Sequence, residues 1–377
     1  MARLATVSVL GLIFVLATRC AASDGVAATS SLPRIIVSSD HKSFVLEGSN
    51  QRFVPWGFNY LGEFGKLAED DWQTPAGWER IEKDFREMRK LGTNVVRWHL
   101  QFETFMKSPD EVKAEELGRL KKLLRVARDN QLYLDLTGLN CFRKDRIPAW
   151  YDVLSEQDRW KTQARFWDAV SATCAGDSTV FCYNLMNEPV VAAAKKGEHP
   201  WVTGELGGFY FVQRICDSSD RRDAKEIAEA WVRTLTTPIR KNDPHALITV
   251  GDIPWSMVFP GAKPVFYCPQ VARYLDFTAV HFYPATGKLD AELKALAAYQ
   301  VGKPLVIEEI YPLNCSLDDL NKFIDAVSPQ TAGWIAHYFG HTPAEHRQGA
   351  APATAPAADF LEYWQKKGAV ISSGPHQ

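Results

Sequence analysis

At 377 residues, with 46% hydrophobic and 23% charged side chains, the chain has the make-up of a folded protein with a sizeable core, which excludes disorder for most of it. A formal net charge of -2 with no long basic run leaves no electrostatic footprint for nucleic acid. Aromatic residues reach 12%, including 12 Trp, a supply that suits sugar rings or apolar ligands as well as a Trp-rich core.

The chain opens with one Arg, an apolar stretch from Leu4 to Ala17 and then small residues. That pattern is too short for a membrane span and fits a secretory signal peptide over residues 1–22, with cleavage expected after Ala22 and a secreted or periplasmic mature protein that has no membrane partner. Removal of the signal takes Cys20 and leaves Cys141, Cys174, Cys182, Cys216, Cys268 and Cys315, an even set for which some disulfides are expected, with 15 connectivities open. No CxxC or HExxH spacing occurs, so neither a metal nor another cofactor is expected.

From Arg34 short apolar runs alternate with longer amphipathic stretches. A hairpin-like opening leads to a first strand around FVPWGFNYLG, and Thr74 then caps a helix with Pro75 at its first position and Trp78, Ile81, Phe85 and Met88 on one face. TNVVRWHL is the second strand, LYLDLTGL the third, VFCYNLMNEP the fourth, ALITVGD the fifth, FTAVHFYP the sixth, KPLVIEEIYP the seventh and AGWIAHYFG the eighth. Helices are expected around AEELGRLKKLLRVARDN, SEQDRWKTQARFWDAVSATC, DAKEIAEAWVRTLTTPIRKND, AELKALAAYQ, LDDLNKFIDAV and DFLEYWQKKG. The long segment after the fourth strand, with Trp201, Phe209, Tyr210 and Phe211, reads as a loop forming a substrate wall or a flap tied down through Cys216. Eight strands interleaved with helices, and no GxGxxG turn, predict an α/β fold: a single-domain (β/α)8 TIM barrel over residues 34–373.

In such a barrel the reacting groups stand at the carboxyl ends of strands. Those ends carry Arg97 and His99, Asp135 and Asn140, Asn187 and Glu188, His281 and Tyr283, Glu308 and Glu309, and Trp334 and His337, with Asn59 a lesser candidate. Carboxylates on strands four and seven face one another across the mouth, which is what glycoside hydrolysis requires: one carboxyl protonates the leaving oxygen, and the other attacks or directs water. Strand alternation by itself leaves Glu308 and Glu309 both open as the strand-seven group.

Arg97, the Asn187-Glu188-Pro189 triplet, His281-Phe282-Tyr283, Glu309 and Trp334, in that order and on those strands, resemble glycoside hydrolase family 5. The resemblance runs from Phe53 to Trp334 and implies a retaining enzyme with Glu188 as acid/base and Glu309 as nucleophile. It further implies that Asn187 binds the sugar hydroxyl beside the reacting carbon and that Tyr283 orients the nucleophile; a nucleophile near Arg97 is expected to stay ionised, with His281 tuning the acid, and Trp334, read as the end of strand eight, is expected to be a sugar-stacking floor ahead of a core residue. Two departures stand out: Ile310 and Tyr311 follow Glu309 where the family has an aromatic and a glycine, and Thr137 occupies strand three where many members carry His. The expected activity is cleavage of a β-linked polysaccharide or oligosaccharide, β-mannan ahead of β-glucan, by a monomer whose partner is its carbohydrate substrate. A carbohydrate-binding barrel without catalysis and an exo-acting barrel glycosidase are the alternatives.

Overall fold

The computed structural model describes residues 31–62, 66–140, 142–193, 199–218, 221–349 and 354–373; the expected signal peptide and Cys141 lie outside them. Eight strands close into a parallel barrel: β1 (Trp56–Tyr60), β2 (Val95–His99), β3 (Tyr133–Thr137), β4 (Val180–Asn187), β5 (Leu247–Asp252), β6 (Thr278–His281), β7 (Leu305–Ile310) and β8 (Gly333–Phe339). Each predicted strand is present. Every residue of β1 to β7 is buried, which is why these runs read as nearly continuous apolar stretches: the barrel interior covers one face and the helices cover the other.

The first helix, Pro75–Lys90, shows how the local sequence sets the elements. The Thr74 side chain accepts a hydrogen bond from Gly77 N at 3.1 Å, Pro75 occupies a position where no backbone donor is needed, and Trp78, Ile81, Phe85 and Met88 form the buried face. Gly92, at φ 85°, turns the chain out of the helix in a left-handed conformation that costs glycine little. Helices Ala114–Asp129, Glu156–Cys174, Ala224–Asn242, Leu289–Ala297, Leu317–Val327 and Thr354–Ser373 follow as read, whereas the β5-to-β6 crossing has only the single turns Trp255–Val258 and Pro269–Ala272. At the amino end of the barrel an antiparallel sheet of Ile35–Val37, Phe44–Leu46 and Arg52–Phe53 acts as a plug. Phe44 sits edge-on against Phe181 (5.2 Å) and Phe277 (5.3 Å), and Phe53 against Tyr133 (5.1 Å).

Three expectations are corrected. The segment after β4 is a small sheet rather than a loop: Phe209–Cys216 pairs with Val202–Leu206, Pro189–Ala193 and Phe142–Arg143. Among the described residues there is no disulfide; Cys174, Cys182, Cys216, Cys268 and Cys315 are free, so Cys216 anchors the sheet by burial and backbone pairing. Trp334 is core, not a sugar floor. It is the second residue of β8, 2% exposed, and lies in register with Trp56 and 5.9 Å from its ring, with Trp364 stacked on Trp56 at 3.9 Å. The mouth end of β8 is His337, three residues on and therefore about 10 Å further up the strand.

Candidate active site

The carboxyl ends of β1, β2, β4, β6, β7 and β8 bring one connected set of polar side chains together. Arg97 is its hub and is fully buried. Its Nη1 donates to Glu309 Oε1 at 2.7 Å and to Asn59 Oδ1 at 2.7 Å, and its Nη2 donates to Asn187 Oδ1 at 3.1 Å. Asn59 is held by its own amide, which donates to the carbonyls of Glu308 (2.8 Å) and Ala336 (3.2 Å), and its Oδ1 also lies 2.8 Å from His99 Nε2. The Asn187 amide nitrogen donates to Phe211 O at 3.1 Å, which ties the sheet over the mouth to the same network.

Backbone irregularities aim the two glutamates. Opposite β6 and β8, β7 carries one extra residue between Ile307 and Ile310, and this bulge lets consecutive Glu308 and Glu309 both reach Arg97 from inside the barrel. Period-two alternation therefore could not choose between them. Glu188 follows β4 at φ 47°, a left-handed conformation uncommon for a non-glycine residue, and its N donates to Gly251 O at 2.9 Å.

The Glu188 and Glu309 carboxyls face each other. His281 Nδ1 lies between them, 2.8 Å from Glu188 Oε1 and 3.6 Å from Glu309 Oε2, and a donor atom of each of the three residues falls within 4.8 Å of the others. Tyr283 donates to Glu309 Oε2 at 2.6 Å. His337 Nδ1 is 3.7 Å from the same oxygen, with its ring edge-on to Tyr283. Burial alone would raise Glu309; His281, His337, Arg97 and the Tyr283 hydroxyl outweigh it and hold the carboxyl well below the usual range. Burial, with the Glu309 charge beside it, drives the Tyr283 phenol well above its ordinary value, so it remains a donor. Burial also lowers His337, and burial together with Arg97 lowers His99 further.

Glu188, His281 and Glu309 are spaced as metal ligands could be, but both Glu309 oxygens are already engaged by Arg97 and Tyr283, and an ion would have to displace them. What the arrangement can do without one is hold a charged carboxylate and a second, His281-bonded carboxyl on either side of a small gap. Of the predicted set, Arg97, Asn187, Glu188, His281, Tyr283 and Glu309 are brought together, and Trp334 is not. Sequence reasoning undervalued Asn59 and His337. The signal for Asn59 was the one that flagged Arg97, a polar residue inside the apolar run WGFNY. Gly251 was missed: a Cβ there would stand 3.0 Å from Arg97 Nη2 and from His281 Nε2, so a larger residue would oblige the network to shift.

The chain matches the profile of the Cellulase (glycosyl hydrolase family 5) family over residues 47–339. Solved structures of similar fold include the exo-beta-1,4-mannosidase Op5Man5 from an Opitutaceae bacterium, strain TAV5 (TM-score 0.62, 16% identity, covering 90% of this chain and 64% of that one). A beta-1,4-D-mannanase from Cryptopygus antarcticus has a TM-score of 0.60 at 13% identity, over 89% of this chain and 95% of that one. A GH5_18 variant from Streptomyces cattleya, in complex with Manb1-4GlcNAc, has a TM-score of 0.60 at 16% identity, over 83% and 81% of the two chains. The chain thus spans less than two thirds of Op5Man5, and no curated protein matches it. With the matched region running from ahead of β1 to the last residue of β8 and enclosing both facing glutamates, the chain belongs to glycosyl hydrolase family 5 and is a glycoside hydrolase.

Proposed function

We propose that the protein is an exported, monomeric, retaining hydrolase of β-linked mannosides, acting on β-mannan or a derived oligosaccharide. The observation that carries the mechanism is the placement of Glu188 and Glu309. An oxygen of one lies within 4.8 Å of an oxygen of the other, which supports the short spacing of a retaining pair, about 5–5.5 Å, over the about 6.5–9.5 Å at which an inverting pair holds its water. Glu309 is the member held ionised, so it is the nucleophile, and proton delivery to the leaving oxygen falls to Glu188. Arg97 and Tyr283 fix the two Glu309 oxygens so that one lone pair faces the anomeric carbon, and His281, bonded to Glu188 Oε1, orients that carboxyl as it gives a proton to the leaving oxygen and then takes one from the attacking water. Asn187, fixed by Arg97 and Phe211 O, is placed to meet the neighbouring sugar hydroxyl.

Preference for mannose is supported by the mannosidase and mannanase among the similar folds, by the Manb1-4GlcNAc complex of a third, and by Thr137 in strand three; export is supported by the Leu4–Ala17 stretch. The test is hydrolysis of a panel of mannan, glucomannan, cellulose, xylan and mixed-linkage glucan, with the anomer of the first product read by NMR. A β-anomer from mannan is expected; an α-anomer, or no hydrolysis of any β-glycan, overturns the reading. Glu188→Gln should lose hydrolysis of natural glycans by at least about 100-fold while still forming the glycosyl-enzyme from substrates with activated leaving groups.

A further inference from the structure

Below the catalytic layer the barrel holds a second acidic group that the mechanism above does not use. Register sets Asn59, Arg97, Asp135 and Cys182 side by side on β1 to β4, and Glu308 reaches them from β7. Asp135, Glu308 and Cys182 are fully buried, and an oxygen of each acid and the Cys182 sulfur lie within 4.8 Å of one another. Arg97 Nε faces both acids, 3.8 Å from Asp135 Oδ2 and 3.8 Å from Glu308 Oε2. Thr137 Oγ1 donates to Asp135 Oδ1 at 3.1 Å and Asn184 Nδ2 donates to Glu308 Oε2 at 2.7 Å, which leaves Asp135 Oδ2 and Glu308 Oε1 without a hydrogen-bond donor. Three carboxylates would then surround one guanidinium.

We propose that Asp135 and Glu308 bind one proton between them, and that this acid–carboxylate pair positions Arg97 from below so that its Nη1 and Nη2 stay on Glu309, Asn59 and Asn187. A buried pair of facing carboxyls that must share one guanidinium with Glu309 is short of positive charge, and a proton is the cation that fits between them. A metal ion would need the Cys182 thiol to ionise, which burial and the two acids oppose, and would sit against the Arg97 charge. The groups facing the pair are Arg97 from β2, Thr137 from β3, Cys182 and Asn184 from β4, Glu309 from β7 and the Tyr267 phenol behind β5. Burial first, and then the charge of Asp135, favours retention of the proton on Glu308, with Arg97 opposing it.

The positioning role rests on the hydrolase reading, but the proton itself is tested without substrate. Infrared difference spectra of wild type against Glu308→Gln and against Asp135→Asn, recorded at alkaline pH, should each show the loss of one protonated-carboxyl C=O band; a difference against Glu69, Glu103 or Asp252 variants serves as the control for other buried acids. Because folding captures a proton that the unfolded carboxyls release, the wild-type unfolding constant should rise ten times more steeply per pH unit than that of Glu308→Gln, in the window above the unfolded carboxyl value. If hydrolysis is present, Glu308→Ala should lose at least about tenfold in kcat, and Glu308→Gln should recover most of that loss, its amide standing where the shared proton stood while Asp135 keeps the single charge. Unchanged carboxyl bands in both amide variants, or a stoichiometric metal in the purified protein that Cys182→Ser releases, would overturn the proposal. Failure of hydrolysis with the bands behaving as expected would overturn only the hydrolase reading.

Discussion

Tyr283→Phe removes one of the bonds that hold Glu309 ionised without altering the shape of the site. The phenol donates to Glu309 Oε2 at 2.6 Å, and the ring packs against His337 whether or not the hydroxyl is there. A hydrogen bond to a charged group contributes about 1.5–3 kcal/mol, and about 1.4 kcal/mol corresponds to one pH unit of proton affinity. Loss of the hydroxyl should therefore raise the Glu309 carboxyl by about one to two pH units. The nucleophile must be ionised to attack, so the acid limb of kcat/KM moves up by the same amount, and the variant loses activity on acidification sooner than wild type. The sign on stability agrees. A carboxyl depressed in the folded state contributes stability that is present above its unfolded value and lost as pH falls, so the variant should also unfold at a higher pH on the acid side. The assay is kcat/KM for an aryl β-glycoside across the acid range, beside acid unfolding of the same samples. An acid limb that stays in place while kcat/KM falls would refute the assignment of Tyr283 to the charge of Glu309.

Arg97→Lys keeps the charge but cannot span Glu309, Asn59 and Asn187 at once while facing Asp135 and Glu308; a loss of about 3–5 kcal/mol in stability and over 100-fold in kcat/KM is expected, and wild-type denaturation and rate would contradict it. Trp334→Ala should cost about 3–5 kcal/mol in chemical denaturation with KM unmoved, because Trp334 packs on Trp56 and not on substrate; a tenfold rise in KM at unchanged stability would reinstate it as a sugar platform. Gly251→Ala should lower kcat more than KM, its methyl pressing on Arg97, His281 and Asn184; a variant with wild-type kinetics would show that the network yields freely.

The sequence alone was enough for the barrel and most of its mouth. Eight apolar runs spaced by amphipathic helices have few alternatives to a closed parallel sheet, and a polar residue at the end of such a run has nowhere to go but the cleft, which is how Arg97, Glu188, His281 and Glu309 were legible. Trp334 was misplaced because it stands near the beginning of the run AGWIAHYFG, three residues short of His337 at the mouth, and residue type alone does not fix depth along a strand. In the sheet after β4 the hairpin of Val202–Leu206 and Phe209–Cys216 carries a local signal, Gly207-Gly208 between its strands, whereas its pairing with Phe142–Arg143, far away in sequence, is one that no local pattern records. The same holds for Glu308 and Glu309. Composition and alternation supply two adjacent acids, but the bulge in β7 that turns both inward, one to the substrate side and one to Asp135, is set by the register of β6 and β8 against it, and only the closed barrel imposes that register.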